Sequence, residues 1–94
     1  MLVVAQHTNI TDPAAFWAKA QSVVGATPPG MSVISVFPSQ DGKTGTCVWE
    51  ATSAAELQKF LDGASEGLAT NFCYDVNEAA GIGLPDRKKE AVLN

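Results

Sequence analysis

The sequence predicts an α+β fold of order βαββαβ, and three observations carry the prediction. Two stretches with apolar residues at helical spacing each follow a helix-start signal, Asp12-Pro13 for the first and Ser53-x-x-Glu56 for the second. Four short runs, 2–7, 31–37, 46–50 and 71–77, are rich in β-branched, aromatic and other apolar residues and read as strands. Asp41-Gly42 joins the second and third of these, where a tight hairpin turn is expected.

The first strand is apolar throughout its first half, as suits a central strand covered on both faces. Asp12 then serves as N-cap, with Pro13 at the first helical position, where its missing N–H costs nothing. Phe16, Ala20, Val23 and Val24 form the stripe to be buried, with Trp17 beside it, and Gly25 and Pro28-Pro29-Gly30 end the helix. A type I′ turn at Asp41-Gly42 would set Gln40 opposite Lys43. Counting outward pairs Phe37 with Thr46, Val36 with Cys47 and Ile34 with Trp49. Ile34, Val36, Cys47 and Trp49 then share one face, and Val33, Ser35, Phe37, Val48 and Glu50 the other.

Ser53 caps the second helix, and Glu56 is placed to reach back to the Ser53 amide. Leu57, Phe60, Leu61 and Ala64 supply its apolar stripe, with Gly63 and Gly67 as stop signals. In the last strand Phe72, Tyr74 and Val76 face one way, Cys73 and Asp75 the other. The chain reads as a single domain with its core in residues 1–77 and an extension over 78–94. The apolar run Gly81–Pro85 in that extension is expected to lie across the body or a partner. This order is the ferredoxin-like arrangement, a four-stranded antiparallel sheet of order 4-1-3-2 with both helices on one face. The second sheet face keeps bulky apolar side chains that need a cover, so a homodimer is expected.

Six basic against ten acidic residues give a net charge of −4, which withholds the positive field that nucleic-acid binding relies on. Arg87, Lys88 and Lys89 form a short basic run expected as a solvated terminal face. No apolar run approaches membrane-spanning length and no leader-like segment precedes the first strand, so a cytoplasmic protein without a membrane partner is expected. Cys47 and Cys73 are then expected as free thiols. The chain has no Walker motif, nucleophile elbow or zinc-finger spacing, and Gly81-x-Gly83 lacks the strand–helix setting of a dinucleotide fingerprint. No cofactor is expected.

Candidate chemistry centres on His7, the sole histidine. Strand order places it near Cys47 on one side and Phe72 and Cys73 on the other, where it serves either as a general base or as a strand-end polar group bonded to backbone. A His7–Cys47–Cys73 metal site is disfavoured, because strands three and four flank strand one and leave the cysteines about 9–10 Å apart. Glu50 falls at the far end of the adjacent strand from His7. Trp17, Cys47, Trp49 and Tyr74 are the candidate walls of an apolar pocket, against the alternative that they are ordinary core.

His7 after a short apolar strand, Asp12 before Phe16-Trp17, Pro29-Gly30, Cys47-Val48-Trp49-Glu50-Ala51, Asn71 with Tyr74, and Gly83-Leu84-Pro85 together resemble the dimeric α/β-barrel superfamily. Within it the chain looks like small bacterial proteins of unknown function. The resemblance implies two ferredoxin-like subunits packed sheet to sheet, with a small cavity between each sheet and its helices or loops. The superfamily spans cofactor-free monooxygenases, isomerases, dehydratases, haem-handling enzymes and proteins without known activity, so it selects no reaction. Two function classes follow. One is a binder of a small apolar or aromatic molecule, extending to a cofactor-independent enzyme of monooxygenase or isomerase type with His7 as its polar group. The other is a non-catalytic interaction or regulatory protein, with a soft-metal (nickel or zinc) binder as a weaker third.

Overall fold

The structure, a computed structural model, describes residues 1–85; Arg87, Lys88 and Lys89 lie outside the described residues. In chain order the elements are β1 (Leu2–Thr8), α1 (Pro13–Val24), β2 (Ser32–Pro38), β3 (Gly45–Glu50), α2 (Ala54–Ala64) and β4 (Thr70–Asp75). The strands form one antiparallel sheet of order β2-β3-β1-β4, which is the expected ferredoxin-like α+β arrangement. No described helix is long and apolar enough to cross a membrane.

Both helix starts follow the capping chemistry. Asp12 Oδ1 accepts from the Ala15 N–H at 3.2 Å, and Ser53 Oγ accepts from the Glu56 N–H at 3.1 Å. A second free N–H of α2, that of Ala54, is taken by Asp75 of β4 at 2.8 Å, so the helix start is bonded to the sheet edge. Leu57 and Leu61 of α2 pack with Val3, Ala5, Cys47, Trp49 and Ala51 as the buried core. Burying such a leucine is worth about 1.5–3 kcal/mol.

The hairpin register is as counted outward from Asp41-Gly42, but the turn is of another kind. Asp41 does not take a positive φ; Gly42 alone does, at 73°. The Gly42 N–H closes a β-turn on Ser39 O at 3.0 Å, and the Ser39 N–H donates to Thr44 O at 2.9 Å. Asp41 Oδ1 accepts from the Lys43 N–H and the Ser39 hydroxyl, giving a four-residue loop. Phe37 still pairs with Thr46 and Val36 with Cys47. Beyond them the register slips: Trp49 pairs with Val33, not Ile34, because a bulge between Val33 and Ser35 absorbs one residue. Val33 therefore joins the helix-side core.

The sheet face away from the helices presents Phe37 of β2 and Phe72 and Tyr74 of β4, all exposed, around Val4, Gln6, Thr46 and Val48. After β4 the chain turns back on β1, where the Val76 N–H donates to Leu2 O and Glu78 accepts from the Leu2 N–H. Of the run 81–85, expected to lie across the body or a partner, Ile82 is 98% exposed and so does not lie across the body of its own chain, while Leu84 folds back onto Gly81.

Candidate functional site

Side-chain alternation along β1 turns Val3, Ala5 and His7 toward the helices, and His7 is 4% exposed. Its backbone pairs with Gly45 of β3 and Asn71 of β4. The imidazole reaches both neighbours. Nδ1 lies 2.7 Å from Asn71 Oδ1, and Nε2 lies 3.2 Å from Cys47 Sγ, two residues along β3 on the diagonal.

The donors in this chain of bonds can be assigned from its far end. Ser65 donates its hydroxyl hydrogen to Leu61 O at 2.8 Å, so its oxygen accepts from Asn71 Nδ2, also at 2.8 Å. Asn71 Nδ2 donates its other hydrogen to the Asp62 carboxylate at 3.0 Å. A flipped amide would set an oxygen against that carboxylate, so Oδ1 faces His7. His7 therefore carries its proton on Nδ1, Nε2 presents a lone pair, and the Cys47 thiol donates to it. Burial lowers the His7 pKa from its ordinary 6.5, partly opposed by the Asn71 bond, and pushes the Cys47 thiol up to about 11. The resting pair is an uncharged imidazole and an uncharged thiol.

Helix α2 holds this assembly. Gln58 donates to Asp62 and to Asn71 O, and its own oxygen accepts from the Cys73 N–H at 2.8 Å. Gln58, Asp62 and Ser65 recur at i, i+4 and i+7, a polar stripe beside the buried leucines. Helix α1 instead covers the assembly with Phe16, whose ring centroid lies 5.3 Å from that of His7.

Between α1, α2 and the sheet lies an almost wholly apolar cavity of about 40 Å³, bounded by His7, Cys47 and Asn71 below and Phe16, Val23 and Ala20 above. One water needs roughly 10–15 Å³ on that measure, so the space admits a molecule of only a few heavy atoms. Trp49 also borders it, held edge-on against Phe60 at 6.2 Å between centroids. Its indole Nε1–H is buried and has no acceptor among the described residues, a cost of about 1–3 kcal/mol for a polar group left unpaired. A larger, polar groove of about 290 Å³ on the far side of the sheet touches His7 but neither Cys47 nor Asn71.

The expected site residues separate into two sets. His7, Cys47 and Trp49 come together at the cavity. Trp17 does not line it; its ring lies on Gly45, its Nε1–H donates to Gly42 O at 2.7 Å, and it seats α1 on the hairpin. Tyr74, also expected as a wall, stands apart from this cavity. It pairs with Val4 and points with Phe72 to the open face, 42% exposed, because alternation in β4 sends Asn71 and Cys73 toward the helices. Sequence reasoning missed Asn71 as the partner of His7, together with Gln58, Asp62 and Ser65 behind it. Two signals were present: β4 alternation extended back to Asn71, and the polar stripe on α2. Glu50 lies at the other end of β3, bonded to the Met1 ammonium at 2.6 Å. Among the described residues both cysteines are free, and no group of three or more His, Cys, Asp or Glu side chains is placed to hold a metal ion.

Fold and site define a small α+β domain with a polar relay under an apolar cavity. Residues 3–84 match the family described as a domain of unknown function, DUF8652, and the chain belongs to that family. A search of curated proteins finds no match.

Proposed function

We propose that this chain is a homodimeric small-molecule-binding domain of the dimeric α/β-barrel kind, whose ligand sits in the cavity under α1. The observation that carries the reading is the Cys47–His7–Asn71 relay at the floor of an apolar cavity beside an unpaired Trp49 N–H. A buried histidine needs hydrogen-bond partners in any case, so it is the place of the relay at the wall of an apolar cavity that points to a ligand, since a few convergent polar groups in such a pocket fix one. In an enzyme of isomerase or cofactor-independent monooxygenase type, His7 is the general base, and burial keeps it unprotonated at neutral pH. The exposed aromatics of the open sheet face, Phe37, Phe72 and Tyr74, support its packing against a second copy.

Titration with butanone, followed through the two indole N–H resonances, tests the cavity. Trp49 should shift because it lines the cavity, and Trp17 should not because it lies outside it and its N–H is held by Gly42. Equal shifts, or none, would contradict the reading. Sedimentation of the wild type and of a Phe72→Lys, Tyr74→Lys double variant tests the dimer. The wild type should sediment as a dimer and the variant as a monomer; a monomeric wild type would end that part of the proposal.

A second reading, a non-catalytic interaction protein, is favoured by the small cavity and by the fully exposed Ile82 beyond β4. It predicts no indole shift with any small ketone.

A further inference from the structure

Of the two cysteines, one has a base. Cys47 Sγ is 3.2 Å from the lone-pair nitrogen of His7, and His7 is oriented by Asn71 at 2.7 Å. Nucleophile, base and orienting amide within hydrogen-bond reach are the constellation of a base-assisted thiol. Cys73 lies across β1 on the same face, less buried than Cys47, with no such partner among the described residues. Its backbone N–H is held by Gln58.

We propose that Cys47 is a nucleophile of the cavity, adding through Sγ to the β-carbon of a small, uncharged α,β-unsaturated aldehyde or ketone, with His7 carrying the proton. The inference rests on the small-molecule reading of the cavity and names the class of molecule it takes. The size limits the molecule to a few heavy atoms, and the lining is apolar apart from His7, Cys47, Asn71, Ser65 and the exposed Lys19, which suits a neutral molecule with one polar acceptor.

The step needs no further reactant. Sγ forms a bond to the β-carbon as its proton passes to His7 Nε2. The alkene π pair moves toward the carbonyl and gives an enolate oxygen. His7 then returns the proton to the α-carbon, leaving a saturated thioether and a neutral imidazole. Asn71 is a positioning residue: it fixes the His7 tautomer and touches no reacting atom. Because the resting thiol is uncharged and its pKa stands near 11, it is a poor nucleophile until the proton can leave to His7.

Acrolein is the probe, with intact-mass analysis and peptide mapping to compare Cys47 with Cys73 in the native protein. Accessibility alone predicts that Cys73 reacts first. The proposal predicts that Cys47 reacts first, faster by at least about tenfold, and that His7→Gln slows it on the order of a hundredfold. Should His7→Gln fail to fold, the pH profile of the wild type decides. Assisted addition at Cys47 is flat above the His7 pKa and falls below it, whereas an unassisted thiol of high pKa speeds up about tenfold per pH unit through neutrality. Preferential reaction at Cys73, or the tenfold-per-unit profile at Cys47, would overturn the inference. A Trp49 shift with butanone and no Cys47 adduct would overturn the nucleophile and leave the binding cavity standing; neither signal would remove both.

Discussion

Helices α2 and α1 lie on the same face of the sheet but are attached to it differently. Helix α2 packs close on β4 and β1, buries Leu57 and Leu61, and is bonded to β4 through Ser53's neighbour Ala54, through Gln58 and through Asp62. Helix α1 stands further from the strands, buries Phe16 alone, and is bonded to the hairpin through the Trp17 indole. The space left beneath α1 is the cavity. One helix holds Asn71, and through it His7, while the other acts as a cover. A fold with two helices over four strands thus separates support from access.

Substitutions that probe this asymmetry differ most in the core. Leu57→Ala should cost about 2–5 kcal/mol, since the side chain is fully buried and its neighbours are fixed. Val24→Ala, at the same kind of stripe position in α1, should stay within about 0.5 kcal/mol because Val24 is 45% exposed. Urea unfolding of both variants checks the contrast, and similar losses would mean that α1 is as firmly packed as α2.

Gly45→Ala comes next. Its φ is ordinary, so the constraint is steric: a Cβ there would meet the Trp17 ring, with Cζ2 only 2.7 Å away. The ring must move, at about 1–3 kcal/mol, and adding Trp17→Leu should recover most of that loss. If the double variant recovers nothing, Trp17 is not what seats α1.

Most of α2 was legible in the sequence because its leucine stripe and Ser53 cap agree with each other, but Gly63, expected as a stop, lies inside the helix, which ends at Ala64 with Gly67 (φ 78°) beyond it. The α1 stripe was equally regular, yet periodicity records which residues face inward and not how near the sheet lies. Hairpin register survived a wrong turn type because the four-residue loop pairs the same residues as the two-residue turn would. The bulge at Ile34 left no mark, since no glycine or proline interrupts the run from Val33 to Val36. At the site, His7 and Cys47 followed from strand order. Asn71 lay within the same counting, but an asparagine at a strand start reads as a turn residue until its burial is known.

A smaller effect separates the two ends of the relay. His7 has a folded pKa below 6.5, so the unfolded chain binds its proton first as pH falls. The His7 contribution is complete above about pH 6.5 and is lost as pH drops through the folded value. Cys47 is the opposite case. Its folded pKa near 11 exceeds the ordinary 9.0, so its contribution is complete below that value and is lost as pH rises toward 11. His7→Gln should flatten the acid side of the stability profile and leave the alkaline side unchanged, while Cys47→Ala should do the reverse. Urea midpoints measured across both ranges read each slope separately.

Native-state hydrogen exchange, resolved by residue and run with and without butanone, tests the division of labour between the helices most directly. Amides of α2 should exchange only through global unfolding, while those of α1 should open at lower free energy and gain protection when butanone is present. Equal protection of the two helices in the free protein, with no change at α1 on adding butanone, would contradict the assignment of α1 as the cover of a ligand site.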